Sequence, residues 1–149
     1  MYQTILTIHN IVRWFVVLFA LLSLYRSMRG WLGNGAWSEA DRKSGLFYTI
    51  ALDTQMLLGL LLYFVLSPVT QAAFADFGMA MKDAISRFFL LEHSFYMVAA
   101  VVLAHIGSAA GKKDLPDQEK FRRAALFMGL SVLAIILGMP WSRPFLPGM

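Results

Sequence analysis

Cysteine is absent from the 149 residues of the sequence. Its absence excludes disulfides, iron–sulfur clusters held by thiolates, covalent attachment of c-type haem and thiol redox relays. Charged residues are also scarce, at 15% of the chain, whereas 58% of the residues are hydrophobic. Because about a quarter of the residues of a soluble domain are charged, the composition argues against a soluble protein.

The hydrophobic residues lie in long runs and not in periodic stripes. Four runs cover residues 4–25, 45–66, 84–109 and 124–141. Each run is close to the roughly 20 apolar residues that a helix needs to cross a membrane, and none alternates as barrel strands do. The sequence therefore predicts an all-α fold, in which residues 1–149 form a single transmembrane four-helix domain with up-down-up-down topology.

The first hydrophobic run lacks the features of a cleaved signal peptide. A signal peptide opens with a basic segment and closes on a small-residue cleavage site. The chain has no Lys or Arg before Arg13. We therefore expect this run to remain in the protein as its first helix.

Basic residues are unevenly divided between the two sides of the predicted bundle. Nine follow the first and third runs: Arg26, Arg29, Arg42, Lys43, Lys112, Lys113, Lys120, Arg122 and Arg123. The opposite side has three, which are Lys82, Arg87 and Arg143. Since Lys and Arg collect in cytoplasmic loops, we expect both chain ends on the outer face. These positions also account for the basic balance, so no nucleic-acid partner is expected.

The predicted outer loop between the second and third helices is less polar than the inner loops. Residues 71–82 mix Ala, Phe and Met with few charges. This composition favours a short interfacial helix that lies on the outer surface. Such a helix could cover whatever lies between the long helices beneath it, and an ordinary surface segment is an equal alternative.

Several ionisable residues fall inside the predicted spans. They are His9, Arg13, Asp53, Glu92, His93 and His105. Each costs roughly 2.5–3.5 kcal/mol near a helix centre on insertion scales, so such residues mark function by default. Depth along the helix groups them, since each residue adds about 1.5 Å.

His9 and His93 lie at similar depth, roughly 8–10 Å below the outer ends of the first and third helices at about 1.5 Å per residue. Two imidazoles that face each other across a helix bundle are the usual ligands of haem b. The pair therefore predicts a haem site with His9 and His93 as metal ligands. Two other interpretations remain open, namely histidines that only hydrogen-bond between helices and a proton or ion pathway.

Four further residues are candidates for the same cofactor site. Arg13 lies one helical turn below His9 and could pair with a haem propionate, a quinone or Glu92. Arg87, near the mouth of the third helix, is a second propionate candidate. Met97 would line the pocket one turn below His93, and Gly59 would let a flat group approach the second helix.

The inner half of the bundle holds a second polar group. His105 has no other histidine at its depth, so a second bis-histidine haem is not expected. Asp53 and Gln55 on the second helix are its predicted neighbours. An Asp–His pair there could relay protons or bind a quinone headgroup, although a simple interhelical hydrogen bond is the more ordinary interpretation.

Five short stretches carry a resemblance to a known group of proteins. They are residues 9–14 (HNIVRW), 41–43 (DRK), 92–93 (EH), 121–123 (FRR) and 140–141 (PW). Together they resemble small four-helix bacterial membrane proteins that are loosely labelled cytochrome b-like. The resemblance implies a bacterial inner-membrane protein with His9 and His93 as haem ligands. The chain departs from di-haem cytochromes b, because only one of its helices has histidines about a dozen residues apart.

The sequence thus leads to three functional hypotheses. The first is a b-type haem protein or haem-bearing subunit of an electron-transfer complex, linked to quinone, with no catalytic constellation of its own. The second is a structural accessory subunit without a cofactor, and the third is a small proton or ion transport protein. The expected partners are lipid, other membrane subunits or further copies of the same chain.

Overall fold

A computed structural model describes residues 1–142 of the protein. Four of its helices are long and apolar enough to cross a membrane, at Tyr2–Leu32, Glu39–Leu66, Ala84–Lys112 and Asp117–Gly138. No strand occurs within residues 1–142. The predicted all-helical fold is therefore confirmed, and four helices long and apolar enough to span a membrane indicate a multi-pass membrane protein. Arg143, which entered the charge count, lies outside the described residues.

The four long helices are built from several segments. Helix α1 is Tyr2–Leu32, and helix α2, Glu39–Leu61, continues into a π-helical turn at Leu62–Leu66. Two short helices follow, α3 at Pro68–Ala75 and α4 at Phe77–Ala80. The third long helix comprises α5 (Ala84–Arg87), a π-helical turn (Phe88–Glu92), α6 (His93–Ala109) and a 3-10 turn (Ala110–Lys112). Helix α7 is Asp117–Gly138.

All four long helices extend past the apolar runs that predicted them at one end or both, and the fourth ends at Gly138, three residues before its predicted end. Helix α2 begins at Glu39 because Ser38 caps it, with Ser38 and Asp41 bonding to each other's backbone N–H. Ion pairs between charged residues one turn apart support the helix ends beyond the apolar runs, as between Arg42 and Glu39 in α2. The apolar count measures only the hydrocarbon thickness, whereas helices project into the polar headgroup layer.

The predicted helix at 71–82 is present in a divided form. Helices α3 and α4 are separated at Asp76, whose side chain caps α4. Helix α3 is fixed to the end of the second long helix, where Thr70 and Gln71 donate to the carbonyls of Tyr63 and Phe64. These bonds satisfy carbonyls that the helix end leaves without intrahelical partners.

The long helices pack in a consistent order around a common core. Helix α1 packs against α2 and α7, and α6 packs against the same two helices. Helices α1 and α6 therefore stand across the bundle from each other. Large apolar side chains point outward from every long helix, among them Leu18, Leu57, Phe95 and Leu133. Such an apolar exterior suits lipid, whose tails are as apolar as leucine.

Candidate functional site

A cavity of about 530 Å³ opens between the helices at the end of the bundle that carries the start of α1. Its volume lies within the range of roughly 300–1,000 Å³ typical of ligand pockets. Six residues singled out from the sequence line it, namely His9, Arg13, Gln55, Gly59, His93 and Met97. The structure thus brings both candidate haem ligands to one cavity, from helices that stand opposite each other.

His93 is held by a hydrogen bond to a different helix. Its Nδ1 lies 2.7 Å from the carbonyl oxygen of Gly138 in α7. Because a carbonyl only accepts, Nδ1 carries the proton, and the lone pair of a neutral ring is then on Nε2. The rings of Phe88 and Phe89 flank the imidazole, with centroids 6.0 and 5.8 Å away. A metal-binding histidine commonly has this kind of partner at its second nitrogen.

Gly138 is a residue of the candidate site that the sequence analysis missed. A Cβ at this residue would lie 2.7 Å from the Cβ of Tyr96, so only glycine lets α7 approach α6 so closely. That approach brings the Gly138 carbonyl to His93. A glycine at the end of an apolar run gives no signal of this role, because many helices end on one.

The π-helical turn before His93 is a second feature that the sequence did not reveal. A π turn leaves carbonyls without their usual helical partners, which is costly where water is scarce. Here Ser94 donates to the Phe89 carbonyl and Tyr63 to the Leu90 carbonyl, at 2.9 and 2.8 Å. Single π turns inside α-helices are frequent at functional sites.

His9 lies on the opposite wall of the cavity. Its Cε1 would be 3.4 Å from a Cβ placed on Gly59, so the imidazole packs directly over that glycine. The space at Gly59 therefore accommodates the His9 ring. The Nδ1 atom of His9 is buried and has no hydrogen-bond partner within the described part of the chain. A buried polar atom in that state is costly unless a ligand or water satisfies it.

Two polar residues lie deeper along the same cavity. Arg13 lines it one turn below His9, with its guanidinium carbon 5.7 Å from the centroid of the Trp14 ring. Gln55 reaches it from α2, and its Oε1 is buried without a hydrogen-bond partner among residues 1–142. The wall is otherwise mostly apolar, so the cavity offers a few polar groups in an apolar lining.

Arg87 and Glu92 lie outside the group that lines the cavity. They pair with each other, with Arg87 Nε 3.0 Å from Glu92 Oε1, and both are nearly half exposed. The sequence analysis predicted that Arg87 could pair with a haem propionate and that Glu92 could pair with Arg13. In the structure each of the two finds its charge partner in the other.

Asp53 and His105 are brought together as expected, but on the outside of the bundle. His105 Nε2 lies 3.3 Å from Asp53 Oδ2, and both side chains are half exposed. Neither lines the cavity, whereas Gln55, two residues from Asp53, does. The three residues grouped from the sequence thus divide between two faces of α2, since two residues along a helix are about 200° apart.

Within residues 1–142, no group of three or more His, Asp or Glu side chains could hold a metal ion without further ligands. Axial ligation of haem needs only two side chains, since the porphyrin supplies the other ligands. Comparison with known proteins adds no relative, because no family model, curated protein or solved structure matches the chain.

Proposed function

We propose that this protein is a membrane b-type haem protein, or the haem-bearing subunit of an electron-transfer complex, with His9 and His93 as the two axial ligands. One observation carries the proposal: the two histidines line the same cavity of about 530 Å³ from helices that stand opposite each other. The cytochrome b-like resemblance of the sequence points the same way.

The details of the two histidines fit this role. The bond from His93 Nδ1 to Gly138 fixes the ring and its tautomer, and raises the basicity of Nε2 towards a metal. The buried Nδ1 of His9 has no hydrogen-bond partner among the described residues, so a ligand could supply one. The mostly apolar lining would bury the porphyrin, and Arg13 would offer a cation to a propionate.

Haem b would supply one-electron redox chemistry to the site. The residues of the chain would do the rest: hold the iron, exclude water and set the local charge. Gln55 and Arg13, at the deep end of the cavity, could bind a quinone carbonyl or a propionate. The role we propose for this chain is electron transfer, and we assign it no catalytic step of its own.

The proposed placement in the membrane follows from the charges. We propose an up-down-up-down bundle with both chain ends outside, in a bacterial inner membrane, because nine basic residues follow the first and third helices. The cavity would then lie in the outer half, covered by α3. Cysteine labelling of sealed cells tests this, since positions 43 and 113 should be protected and position 82 labelled.

An accessory subunit without a cofactor is the competing function. It is favoured by the same His93–Gly138 bond, which joins α6 to α7 whether or not a metal is present. In that case the cavity would hold lipid or a helix of a partner. A proton or ion pathway has less support, since Asp53 and His105 lie outside the cavity.

A reduced-minus-oxidised absorbance spectrum of the purified protein separates the two functions. We expect a b-type band with about one haem per chain, lost in His9→Ala and in His93→Ala. The matched control is His105→Gln, which alters the histidine outside the cavity and should keep the band. A wild-type protein without the band after expression with ample haem would defeat the proposal in favour of the accessory subunit.

A further inference from the structure

The face shared by α2 and α6 carries an Asp–His contact where the protein should meet lipid. Asp53 and His105 are 50% and 49% exposed. Asp53 lies near the middle of the second long helix, Glu39–Leu66, so it is roughly 20 Å from either end at about 1.5 Å per residue. Ionisable side chains at such positions almost always face protein or a water-filled cavity. The described chain provides neither on this face.

His105 has a polar contact at each ring nitrogen. Its Nδ1 lies 2.9 Å from the Val101 carbonyl oxygen one turn back on α6, and its Nε2 lies 3.3 Å from Asp53 Oδ2 on α2. A carboxylate oxygen can accept more than one hydrogen bond, so the half-exposed Asp53 retains acceptor capacity towards the outside of the bundle.

Apolar side chains surround this pair. Ile50 and Leu57 flank Asp53 along α2, and Val102 and Ile106 flank His105 along α6, each at least 45% exposed. The face therefore has a polar centre and an apolar rim. Interfaces between membrane helices often have this arrangement, in which interhelical hydrogen bonds add to apolar packing.

We propose that two copies of this chain associate through the face shared by α2 and α6. Copies inserted with the same topology are related by a two-fold axis along the membrane normal, so residues at equal height meet. Asp53 and His105 are at equal height because they are in contact. When the two faces meet, α2 of one copy opposes α6 of the other. Asp53 then lies beside the partner's His105, and His105 beside the partner's Asp53.

The complementarity of this acid and base favours a second copy of the chain as the partner of this face. The face carries one acidic and one basic group, and two-fold symmetry places the acid of each copy beside the imidazole of the other without any additional residue. A different subunit would have to provide its own matching acid and base at this depth. The dimer proposal does not depend on the haem proposal, because neither Asp53 nor His105 lines the cavity.

Charge exchange tests the proposal. Dimerisation is measured by energy transfer between labelled copies in lipid vesicles over a range of protein-to-lipid ratios. His105→Asp places only acids at the interface and should weaken association about tenfold, in line with 1–2 kcal/mol for a polar contact between membrane helices. The double variant Asp53→His with His105→Asp should restore association, and Thr54→Ala, an exposed polar neighbour, should leave it unchanged.

Cross-linking gives a second readout that needs no change to the pair. The chain has no native cysteine, so one copy with Ile50→Cys and another with Ile106→Cys can join only across the interface. Oxidation should give a covalent dimer, whereas Leu18→Cys, exposed on α1, should not cross-link with Ile50→Cys. A wild-type protein that stays monomeric, or His105→Asp with unaltered dimerisation, would overturn the proposal.

Discussion

The two ends of the helix bundle are packed in opposite ways. At the end that carries the start of α1, the helices surround the cavity with its two histidines. At the other end, small residues allow close contact, as where a Cβ on Gly30 would lie 2.2 Å from the Phe121 ring. Gly107 likewise lies against Met128, which is almost fully buried.

Polar groups follow the same division with one exception, because the buried Nε1 of Trp37, which packs on Phe121 at the closed end, has no hydrogen-bond partner among the described residues either. In the closed part of the bundle, Tyr48 and Ser131 share a hydrogen bond of 2.7 Å, and Ser131 donates to the Ala100 carbonyl. At the cavity, His9 and Gln55 each keep a buried polar atom without a hydrogen-bond partner among the described residues. A chain that closes one end so well is able to pack its interior. This contrast in packing between the two ends is one reason why we propose a ligand at the open end.

The largest effect we expect is on the content of the proposed haem, from filling the open end. The Gly59→Leu variant would push branched atoms into the His9 ring, which already packs over this glycine. We expect more than nine-tenths of the haem to be lost while the four helices remain inserted. Haem per chain is measured by absorbance, and helicity by circular dichroism.

Gly59→Ala is the matched control for that variant. Its Cβ would meet His9 at 3.4 Å, an ordinary van der Waals contact, and alanine gains about 1 kcal/mol of helix propensity over glycine. It should keep its haem and be as stable as the wild type or more so. Full haem content in Gly59→Leu would show that the His9 ring is not fixed by haem ligation.

The next effect is on stability, at the closed end. The Gly30→Ala variant places a methyl group within 2.5 Å of three atoms of the Phe121 ring. Forcing atoms into a packed site typically costs about 1–3 kcal/mol. We expect unfolding at a lower SDS fraction, with an unchanged haem spectrum in the folded protein. A change in the spectrum instead would mean that the two ends are coupled.

The sequence predicts some features of this molecule and not others. The four helices follow from run length, and the cavity residues on α1 and α6 follow from depth counted along the chain. Depth does not give the direction in which a side chain points. Asp53 and Gln55 were grouped by depth, yet they lie on different faces of α2. Arg87 was placed near the site, yet it pairs with Glu92.

The contribution of Gly138 could not be predicted for a different reason. Its carbonyl reaches His93 across 45 residues of sequence, and only the packing of α6 against α7 brings the two together. The π-helical turns at Leu62–Leu66 and Phe88–Glu92 have no sequence signature either. They depend on side-chain donors from neighbouring segments, such as Tyr63, which are identifiable only once the helices are placed.

A smaller effect should come from the hydrogen bond in the closed part of the bundle. Tyr48→Phe removes the hydroxyl that bonds to Ser131 and leaves the ring in place. Ser131 keeps its bond to the Ala100 carbonyl, so no donor is abandoned. We expect a loss of about 0.6 kcal/mol, the average for such bonds in a membrane protein, measured by SDS titration. A loss of several kcal/mol would contradict this interpretation of the closed end.

The smallest effect concerns the cap of the helix that leads to His93. Asp83 precedes α5 and accepts a hydrogen bond of 2.7 Å from the Ser86 N–H. Hydrogen bonds from Ser86 lower the pKa of the Asp83 carboxyl group below its usual value of 3.8. A lowered folded-state pKa contributes stability that is present above the unfolded-state value and is lost as the pH falls through the folded-state value.

Asp83→Asn tests that pH dependence, because asparagine keeps a capping oxygen but does not titrate. At pH 7 the variant should unfold at a slightly lower temperature than the wild type, since it lacks the charge-assisted bond. As the pH falls from about 3.8, the usual value, through the lower folded-state pKa, the carboxyl group of the folded protein becomes protonated and the two midpoints should converge. Thermal unfolding followed at both pH values measures the difference. Since Asp83 is exposed and lies outside the cavity, haem content should not change; a variant that lost haem would show that this cap helps to orient His93.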